Sequence, residues 1–381
     1  MENFGLHDKL EIEGRQFHIH TGTLIEHKKI ISEVFESGMF LTSKEYSIQL
    51  RSETKKVNYE YLNDITRHYH FYVIEEIEAL YRIAEKLNRF KHPVSRYHLG
   101  ILFLKRNLIP EAIQQFERAI KEDSNFVKAY SGLGIALLKA RRFQEALEVF
   151  NKALEQSEKY ADILNYTGLA HLFLGDYDRA TLLFKEAIGI NPNYYECQFN
   201  LGVALYKSAL DGAKDPKAVA VPARVIIYLK QVRDLERYRQ HQWQKAFNLI
   251  LDLLKDNNHD VIIPELEKFQ LELVDISSEK DKVYEFYLRF LFGGEELNPE
   301  TIQKYEPFFN GQMGNLSKYP DFWNDRGIFN LIKSRSLYLR ALSEFEKALE
   351  LSPDFAEAKK YRDLIKSSEK GFLILLRAIL K

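Results

Sequence analysis

The chain has 381 residues, of which 45% are hydrophobic and 29% charged, the balance of an ordinary globular protein. Its 54 Lys and Arg residues are matched by 55 Asp and Glu residues, and this balance argues against a nucleic-acid binder that depends on bulk positive charge. The single cysteine, Cys197, excludes an internal disulfide framework and any multi-cysteine metal site.

The two ends of the chain carry no targeting or membrane-spanning pattern. No basic segment followed by an apolar core opens the sequence, so no secretory signal is expected. The longest apolar run, residues 372–380, is shorter than the ~20 residues of a membrane-spanning helix. With no disulfides, these features favour a cytoplasmic protein without an integral membrane span.

Residues 10–50 predict three or four short antiparallel strands. Residues 17–21 alternate apolar and polar side chains after a turn at Glu13-Gly14. A second run, 30–35, reaches Ser37-Gly38 and returns as 39–42. Because so small a sheet buries only one face, we expect it to pack on the helix that follows.

A long helix is predicted over residues 58–90 and ends before Pro93. Its apolar residues recur at spacings of three and four: Leu62, Ile65, Tyr69, Val73, Ile77, Leu80, Ala84 and Leu87. Such a helix is about 45 Å long, enough to form an arm or to pair with a second copy.

From residue 93 the sequence repeats with a period of 34 residues. Four glycines are each 34 residues apart, in Leu99-Gly100, Leu133-Gly134, Thr167-Gly168 and Leu201-Gly202. Each of the first three is followed by alanine (Ala112, Ala146, Ala180), phenylalanine (Phe116, Phe150, Phe184) and a second alanine (Ala119, Ala153, Ala187). Small residues allow two helices to approach closely, and the phenylalanine fills the space between one helical hairpin and the next.

This pattern resembles the tetratricopeptide repeat (TPR), a helical hairpin of 34 residues with Leu-Gly, Ala, Phe, Ala and Pro at fixed positions. Residues 93–126, 127–160 and 161–194 match it, with Tyr130 and Pro192 as further signature residues. A fourth repeat opens at 195 but departs from the pattern at 211–216. A further unit near the end has its glycine and first alanine two residues too far apart, which predicts an extended inter-helix loop; its residues are Trp323, Gly327, Ala341, Phe345, Ala348 and Pro353.

The expected fold is therefore mainly α, a TPR-type helical solenoid preceded by a small antiparallel β module and a long helix. The β module faintly resembles small N-terminal domains that precede helical repeats in some bacterial proteins. Apolar stripes after residue 217 predict divergent helical hairpins, with a non-helical connection at 307–320. The predicted domains are 1–57 (β module), 58–92 (connecting helix), 93–212 (TPR units), 213–319 (divergent hairpins) and 320–381 (C-terminal TPR-like unit with an apolar capping helix).

No residue pattern in the sequence points to a catalytic or cofactor site. His18 and His20 share one strand face, and Asp64 and His68 share one helix face. A site that drew on both pairs would have metal-like donors, but a solvated strand face is the commoner explanation. Cys197 falls in a repeat helix, where packing is commoner than nucleophilic chemistry. The run 233–245 mixes arginines and aromatics with acidic partners, which favours a solvated helix over a nucleic-acid surface. We therefore predict no enzyme, no metal, no cofactor and no nucleic-acid partner. A metal- or anion-regulated enzyme domain in residues 1–60 is a weaker alternative.

In the TPR family the first helix of each repeat lines a ligand-binding groove. That resemblance implies a mainly apolar groove formed by Tyr97, Ile101, Leu104, Ser131, Ile135, Leu138, Asn165, Leu169, Leu172, Phe199 and Val203. Tyr97 and Ile101 replace the Lys and Asn of the carboxylate clamp found in chaperone-binding members. An apolar helix or peptide of a protein partner is the expected ligand, unless the chain itself covers the groove.

The apolar tail offers candidates for self-association, Phe372, Leu375, Leu376 and Ile379. Leaving such side chains in water forfeits ~1.5–3 kcal/mol each, so the tail is expected to dock on the last repeat, in the groove, on another copy or at a membrane surface. Docking on the protein itself or on another copy is favoured. Two functions follow. The first is an interaction scaffold or adaptor that uses the groove. The alternative is a structural subunit of a motility, secretion or envelope assembly, a homo-oligomer formed through the long helix and the tail.

Overall fold

The computed structural model describes residues 5–48, 59–156, 160–216, 219–256, 258–276, 281–293, 306 and 320–379. The chain divides into two compact units. Unit 1 consists of residues 1–107 and 278–381, and unit 2 of residues 108–277.

Unit 1 begins with a four-stranded antiparallel sheet in the order β1-β2-β3-β4. The strands are β1 (Gly5–Ile12), β2 (Arg15–Leu24), β3 (Lys29–Glu36) and β4 (Met39–Ser47). The hairpin turns at Glu13-Gly14 and Ser37-Gly38 have positive φ at both residues, the backbone that a two-residue hairpin with matching twist requires. The predicted β module and both of its turns are confirmed.

The sheet packs on the long helix α1 (Tyr59–Leu87), as expected for a sheet with one apolar face. Phe17 and Ile19 of β2 and Leu62, Ile77 and Leu87 of α1 are buried. Residues 289–293 also pack against α1. The helix is therefore covered along its apolar stripe and is not a free arm.

Four more helices belong to unit 1. They are α2 (Pro93–Lys105), α12 (Asp281–Leu288), which continues into a π turn at Arg289–Gly293, α13 (Pro320–Leu351) and α14 (Ala356–Ile379). α12 packs on α2, where the rings of His98 and Tyr284 stack 3.3 Å apart, and α13 packs on α14. The prediction of an extended loop inside the C-terminal repeat is wrong, because α13 continues unbroken through Gly327. Residues 328–351 contain no glycine or proline that would interrupt the helix.

Unit 2 contains the repeats. Its helices are α3 (Ile109–Glu122), α4 (Val127–Lys139), α5 (Phe143–Gln156), α6 (Ala161–Phe173), α7 (Tyr177–Ile190), α8 (Tyr195–Asp211) and α9 (Ala223–Arg233). Each packs on the next along the chain from α3 to α9. The signature alanines and phenylalanines are all fully buried: Ala112, Phe116, Ala119, Ala146, Phe150, Ala153, Ala180, Phe184 and Ala187. The repeat prediction is confirmed for these residues.

The last part of unit 2 departs from the repeat pattern. Residues 212–222 form the connection between α8 and α9 in place of a tight turn, as the sequence at 211–216 indicated. Two further helices follow, α10 (His241–Asp256) and α11 (His259–Leu273). An aromatic cluster of Tyr238, Trp243, Phe247 and Phe269 joins α10 to α11. Residues 307–319, the predicted non-helical connection, lie outside the described residues.

Candidate protein-interaction surface

The predicted groove residues fall in both units. Tyr97, Ile101 and Leu104 lie on α2 in unit 1; Ile101 and Leu104 are buried and Tyr97 is half-buried. The other eight define a surface that we call the inner face of unit 2. It consists of Ser131, Ile135 and Leu138 on α4, Asn165, Leu169 and Leu172 on α6, and Phe199 and Val203 on α8.

The inner face is covered by the chain itself. Ser131 is half-buried, and the other seven residues of the inner face are at most 2% exposed. Part of the cover is α11, which packs on α8 and brings the ring of Phe269 to 6.4 Å from that of Phe199. These apolar side chains are therefore buried within the protein and are not exposed to solvent.

Polar contacts along α11 hold it on α4 and α8. At its start, His259 Nδ1 is hydrogen-bonded to Tyr206 Oη, and in its middle Glu267 Oε1 lies 2.5 Å from Lys207 Nζ. At its end, Lys139 Nζ donates to the carbonyl oxygen of Leu271 at 3.2 Å, which satisfies one of the carbonyls that a helix leaves free at its C-terminus. Burial lowers the pKa of Lys139, although nearby carboxylates partly oppose the shift.

A chain of polar side chains crosses the middle of this contact. Gln270 Nε2 donates to Asn200 Oδ1 at 2.9 Å, and Asn200 Nδ2 donates to Asn165 Oδ1 at 2.9 Å. Asn165 Nδ2 in turn donates to Tyr194 Oη at 3.2 Å. Gln270, Asn200 and Asn165 are all at least 96% buried. We call this row of hydrogen bonds the amide ladder; it links α6, α8 and α11.

A cavity of about 50 Å³ adjoins the amide ladder, enough for a water molecule. Its lining residues are Asn165, Tyr166, Leu169, Tyr194, Glu196, Asn200, Arg237, Gln270, Leu273, Val274 and Asp275. Gln270 Oε1, a buried acceptor, has no hydrogen-bond partner among the described residues. Arg237 forms an ion pair with Glu196, and burial raises the pKa of Tyr166, whose hydroxyl donates to the carbonyl of Asp275 at 3.0 Å.

The residues considered for metal or nucleophilic chemistry lie elsewhere. His18 and His20 are on the sheet face opposite Phe17 and Ile19, and His7 joins them there, with its ring 4.3 Å from that of His20. Among the described residues no group of three or more histidine, cysteine or carboxylate side chains is arranged to hold a metal ion. Cys197 is fully buried, and burial raises the pKa of its thiol to about 12. A thiol in that state is neither exposed nor ionised at neutral pH.

The basic and aromatic run at 233–245 is divided between surface ion pairs and the core. Arg233 pairs with Asp234 at 3.0 Å, and Arg237 pairs with Glu196 of α8. Trp243 packs in the aromatic cluster, with its ring 5.0 Å from that of Tyr238. The pairing at helical spacing expected within this run is replaced by a neighbouring pair and a long-range one.

The tail candidates Phe372, Leu375, Leu376 and Ile379 belong to α14, whose backbone is helical to residue 379, but their side chains lie outside the described residues. In the part of the chain that the structure describes, no helix combines the length and the apolar character needed to cross a membrane.

The architecture of stacked helical hairpins with alanine and phenylalanine contacts defines a helical-repeat protein. Two family profiles, both described as tetratricopeptide repeat, match residues 97–161 and 167–194. The chain therefore contains tetratricopeptide repeats in these residues, as its 34-residue period indicated.

The solved structures found to be similar are distant in sequence and in overall superposition. MamA is 20% identical, over 39% of this chain and 81% of its own, with a TM-score of 0.33. YrrB, described as a TPR protein with an unusual peptide-binding site, is 17% identical over 49% and 91%, with a TM-score of 0.32. PilF of Pseudomonas aeruginosa is 18% identical over 62% and 96%, with a TM-score of 0.33. No curated protein matches the sequence.

Sequence reasoning predicted the inner-face residues as a groove, but it did not identify the segment that covers them or the roles of Gln270 and Lys139. One signal was present. Gln270 falls inside the apolar stripe of α11, beside Phe269 and one turn before Leu273, and a polar residue in such a stripe indicates a buried hydrogen bond.

Proposed function

We propose that this protein is a non-enzymatic scaffold or adaptor that binds a helix of a protein partner on the inner face of unit 2. Tetratricopeptide-repeat proteins are typically protein-interaction scaffolds, and this chain carries such repeats. The proposal assigns partner binding to the inner-face residues, in a protein that works in the cytoplasm.

The observation that supports this proposal is the packing of α11 on α8, with hydrogen bonds joining α11 to α4 and α8. A surface that already holds one amphipathic helix by apolar contacts, end contacts and an amide ladder has the shape and chemistry for a helix. In this proposal α11 holds the surface until a partner helix replaces it.

Site-specific photocrosslinking in cells tests the proposal. A photoreactive amino acid replaces Ser131, on the inner face, and in a matched control it replaces Lys152, which is exposed on α5. We expect a defined protein adduct from position 131 and none of the same mass from position 152. The crosslinked protein, once identified and purified, should bind the full chain, and Ser131→Arg should weaken its Kd at least tenfold. An adduct from position 152 alone, or an unchanged Kd, would overturn the proposal.

A structural subunit that associates with itself is the second candidate, supported by exposed apolar side chains on α13, on α14 and in the segment between them. Leu337, Tyr338, Leu351, Phe355, Tyr361 and Leu364 are each at least 46% exposed. Light scattering on the full chain and on a chain ending at residue 369 tests it. An oligomer that becomes a monomer on truncation supports self-association through the tail, and a monomeric full chain rejects it.

A further inference from the structure

We infer that the partner helix recognised by the inner face carries an amide side chain that binds Asn200, at the place that Gln270 of α11 now holds. The inference rests on the proposed function and names the chemistry of its partner.

The apolar face of α11 defines the spacing of the apolar residues that we expect in the partner helix. Ile262, Leu266, Phe269 and Leu273 are at least 92% buried and follow one another at intervals of four, three and four residues, one face of an α-helix. Lys268, between them in sequence, is exposed. A helix that takes this place needs large apolar side chains at the same four positions.

The amide ladder sets the register. Asn200 Oδ1 accepts from Gln270 Nε2 in a buried site, and an apolar side chain at that position would leave this oxygen without a donor. An unsatisfied buried acceptor costs about 1–3 kcal/mol, which is a factor of about 5–150 in an equilibrium constant. A shift of the helix by one residue turns the side chain away by about 100°, so only one register keeps the bond.

Two charged contacts add to the pattern. Lys207 faces Glu267 and favours an acidic residue three positions before the amide. Lys139 donates to Leu271 O near the C-terminus of α11, so the partner helix should end about one turn after the amide. The partner helix should therefore carry apolar residues at the positions equivalent to 262, 266, 269 and 273 of α11. It should carry an acidic residue at the position equivalent to 267 and an amide residue at the position equivalent to 270.

Pro264 makes α11 a replaceable occupant. It lies inside the helix, where a proline removes one backbone hydrogen bond and destabilises an isolated helix. A helix that lacks the proline would make the same contacts without that loss.

Binding of a fluorescent peptide of residues 259–276 to the full chain tests the inference. We expect weak binding to the wild-type chain, because α11 holds the site, and at least tenfold tighter binding to Leu266→Asp, whose own α11 carries a carboxylate on its apolar face. A peptide with Gln270→Leu should bind at least fivefold more weakly than the unaltered peptide, and one with Lys268→Ala equally well. The Asn200→Leu chain should reduce that preference for glutamine, since the acceptor is gone.

A folded Leu266→Asp chain that binds the peptide no better than wild type would overturn the inference, as would equal affinity for the Gln270→Leu peptide. Should Leu266→Asp unfold, hydrogen exchange of the wild-type chain provides the second measurement. Excess peptide should speed exchange of residues 259–273 and leave α6 unchanged, and no change in α11 would overturn the inference. A partner crosslinked at Ser131 that does not compete with the peptide rejects the inference alone, whereas no partner at Ser131 rejects the proposed function.

Discussion

The ring of Phe184 lies so close to Gly168 that a Cβ atom added at Gly168 would stand 2.7 Å from Cε1 of Phe184. Gly134 has the same relationship with Phe150. In both repeats the glycine lies on the first helix and the phenylalanine on the second, so the missing side chain lets the ring close the hairpin. The ring of Phe116 also reaches Gly132 of the next repeat, which is the contact between hairpins that the sequence predicted.

Gly168→Ala should therefore destabilise the full chain by about 1–3 kcal/mol, because the added methyl group overpacks a core that is already filled by Phe184. Urea unfolding followed by helical circular dichroism measures the change. Gly189→Ala is the matched control: Gly189 lies on α7 with no atom within 4 Å of its ideal Cβ. That substitution should be neutral or stabilise by up to ~1 kcal/mol. Equal stability of both variants would show that Phe184 does not require the glycine.

The buried carboxylate of Glu76 forms ion pairs with two cationic side chains of unit 1. Arg106 Nη2 lies 2.5 Å from Glu76 Oε1, and Lys44 binds the other oxygen. Glu76→Gln leaves the buried Arg106 with Glu285 at 3.5 Å, and we expect a loss of about 3–5 kcal/mol. Glu78→Gln is the control, since its exposed carboxylate lies 3.6 Å from Arg82 and should contribute less than about 1 kcal/mol. A smaller loss for Glu76→Gln than for Glu78→Gln would contradict this assignment.

The same carboxylate predicts a pH dependence. Burial by itself would raise the pKa of Glu76, but the charges of Arg106 and Lys44 outweigh it and hold the pKa below its usual range. A depressed pKa in the folded chain stabilises the fold above the unfolded pKa of about 4.3, and the stabilisation is lost as the pH falls toward the folded pKa. The stability difference between wild type and Glu76→Gln should therefore be smaller at pH 3.5 than at pH 7. A constant difference would show that Glu76 titrates as in the unfolded chain.

Short sequence patterns predicted the hairpin turns and the repeat helices, because these elements depend on residues close together in sequence. Glu13-Gly14 and Ser37-Gly38 indicated hairpins because each can adopt the positive φ that the turns require. The 34-residue period indicated the repeats because glycine, alanine and phenylalanine recur at positions where two helices pack closely. The unbroken α13 was missed, because Gly327 suggested a family register that the helix-forming residues after it do not follow.

The candidate site was predicted less completely, for a physical reason. The resemblance placed Leu169 and Val203 on a surface meant for a ligand, and both are buried within the protein. The periodicity of α11 indicates which of its faces is apolar, but not which surface that face covers. That choice depends on contacts between residues far apart in sequence, such as Lys139 with Leu271, which no local pattern specifies.

Cys197 should be almost inert to thiol reagents in the folded chain. Its thiol is fully buried, its pKa is raised to about 12 by burial, and its Sγ donates to the carbonyl of Phe184 at 3.5 Å. A pKa of about 12 leaves on the order of one thiolate in ten thousand at pH 8. An aromatic disulfide reagent should therefore modify native protein at least a hundredfold more slowly than guanidinium-unfolded protein. Because this is the single cysteine, the unfolded chain is the control, and equal rates would show that the site opens readily.

A double-mutant cycle on Asn200 and Gln270 tests the amide ladder within the chain. Gln270→Leu should destabilise by about 1–3 kcal/mol, because Asn200 Oδ1 then loses its donor in a buried site. In an Asn200→Leu background the same substitution should cost less, since the acceptor is gone and two apolar side chains face each other. We expect a coupling of at least ~0.5 kcal/mol from the four urea midpoints and slopes. Lys268→Leu, on the exposed side of α11, should show no coupling with Asn200→Leu. Additive effects of Asn200→Leu and Gln270→Leu would mean that the hydrogen bond does not hold α11 in its register.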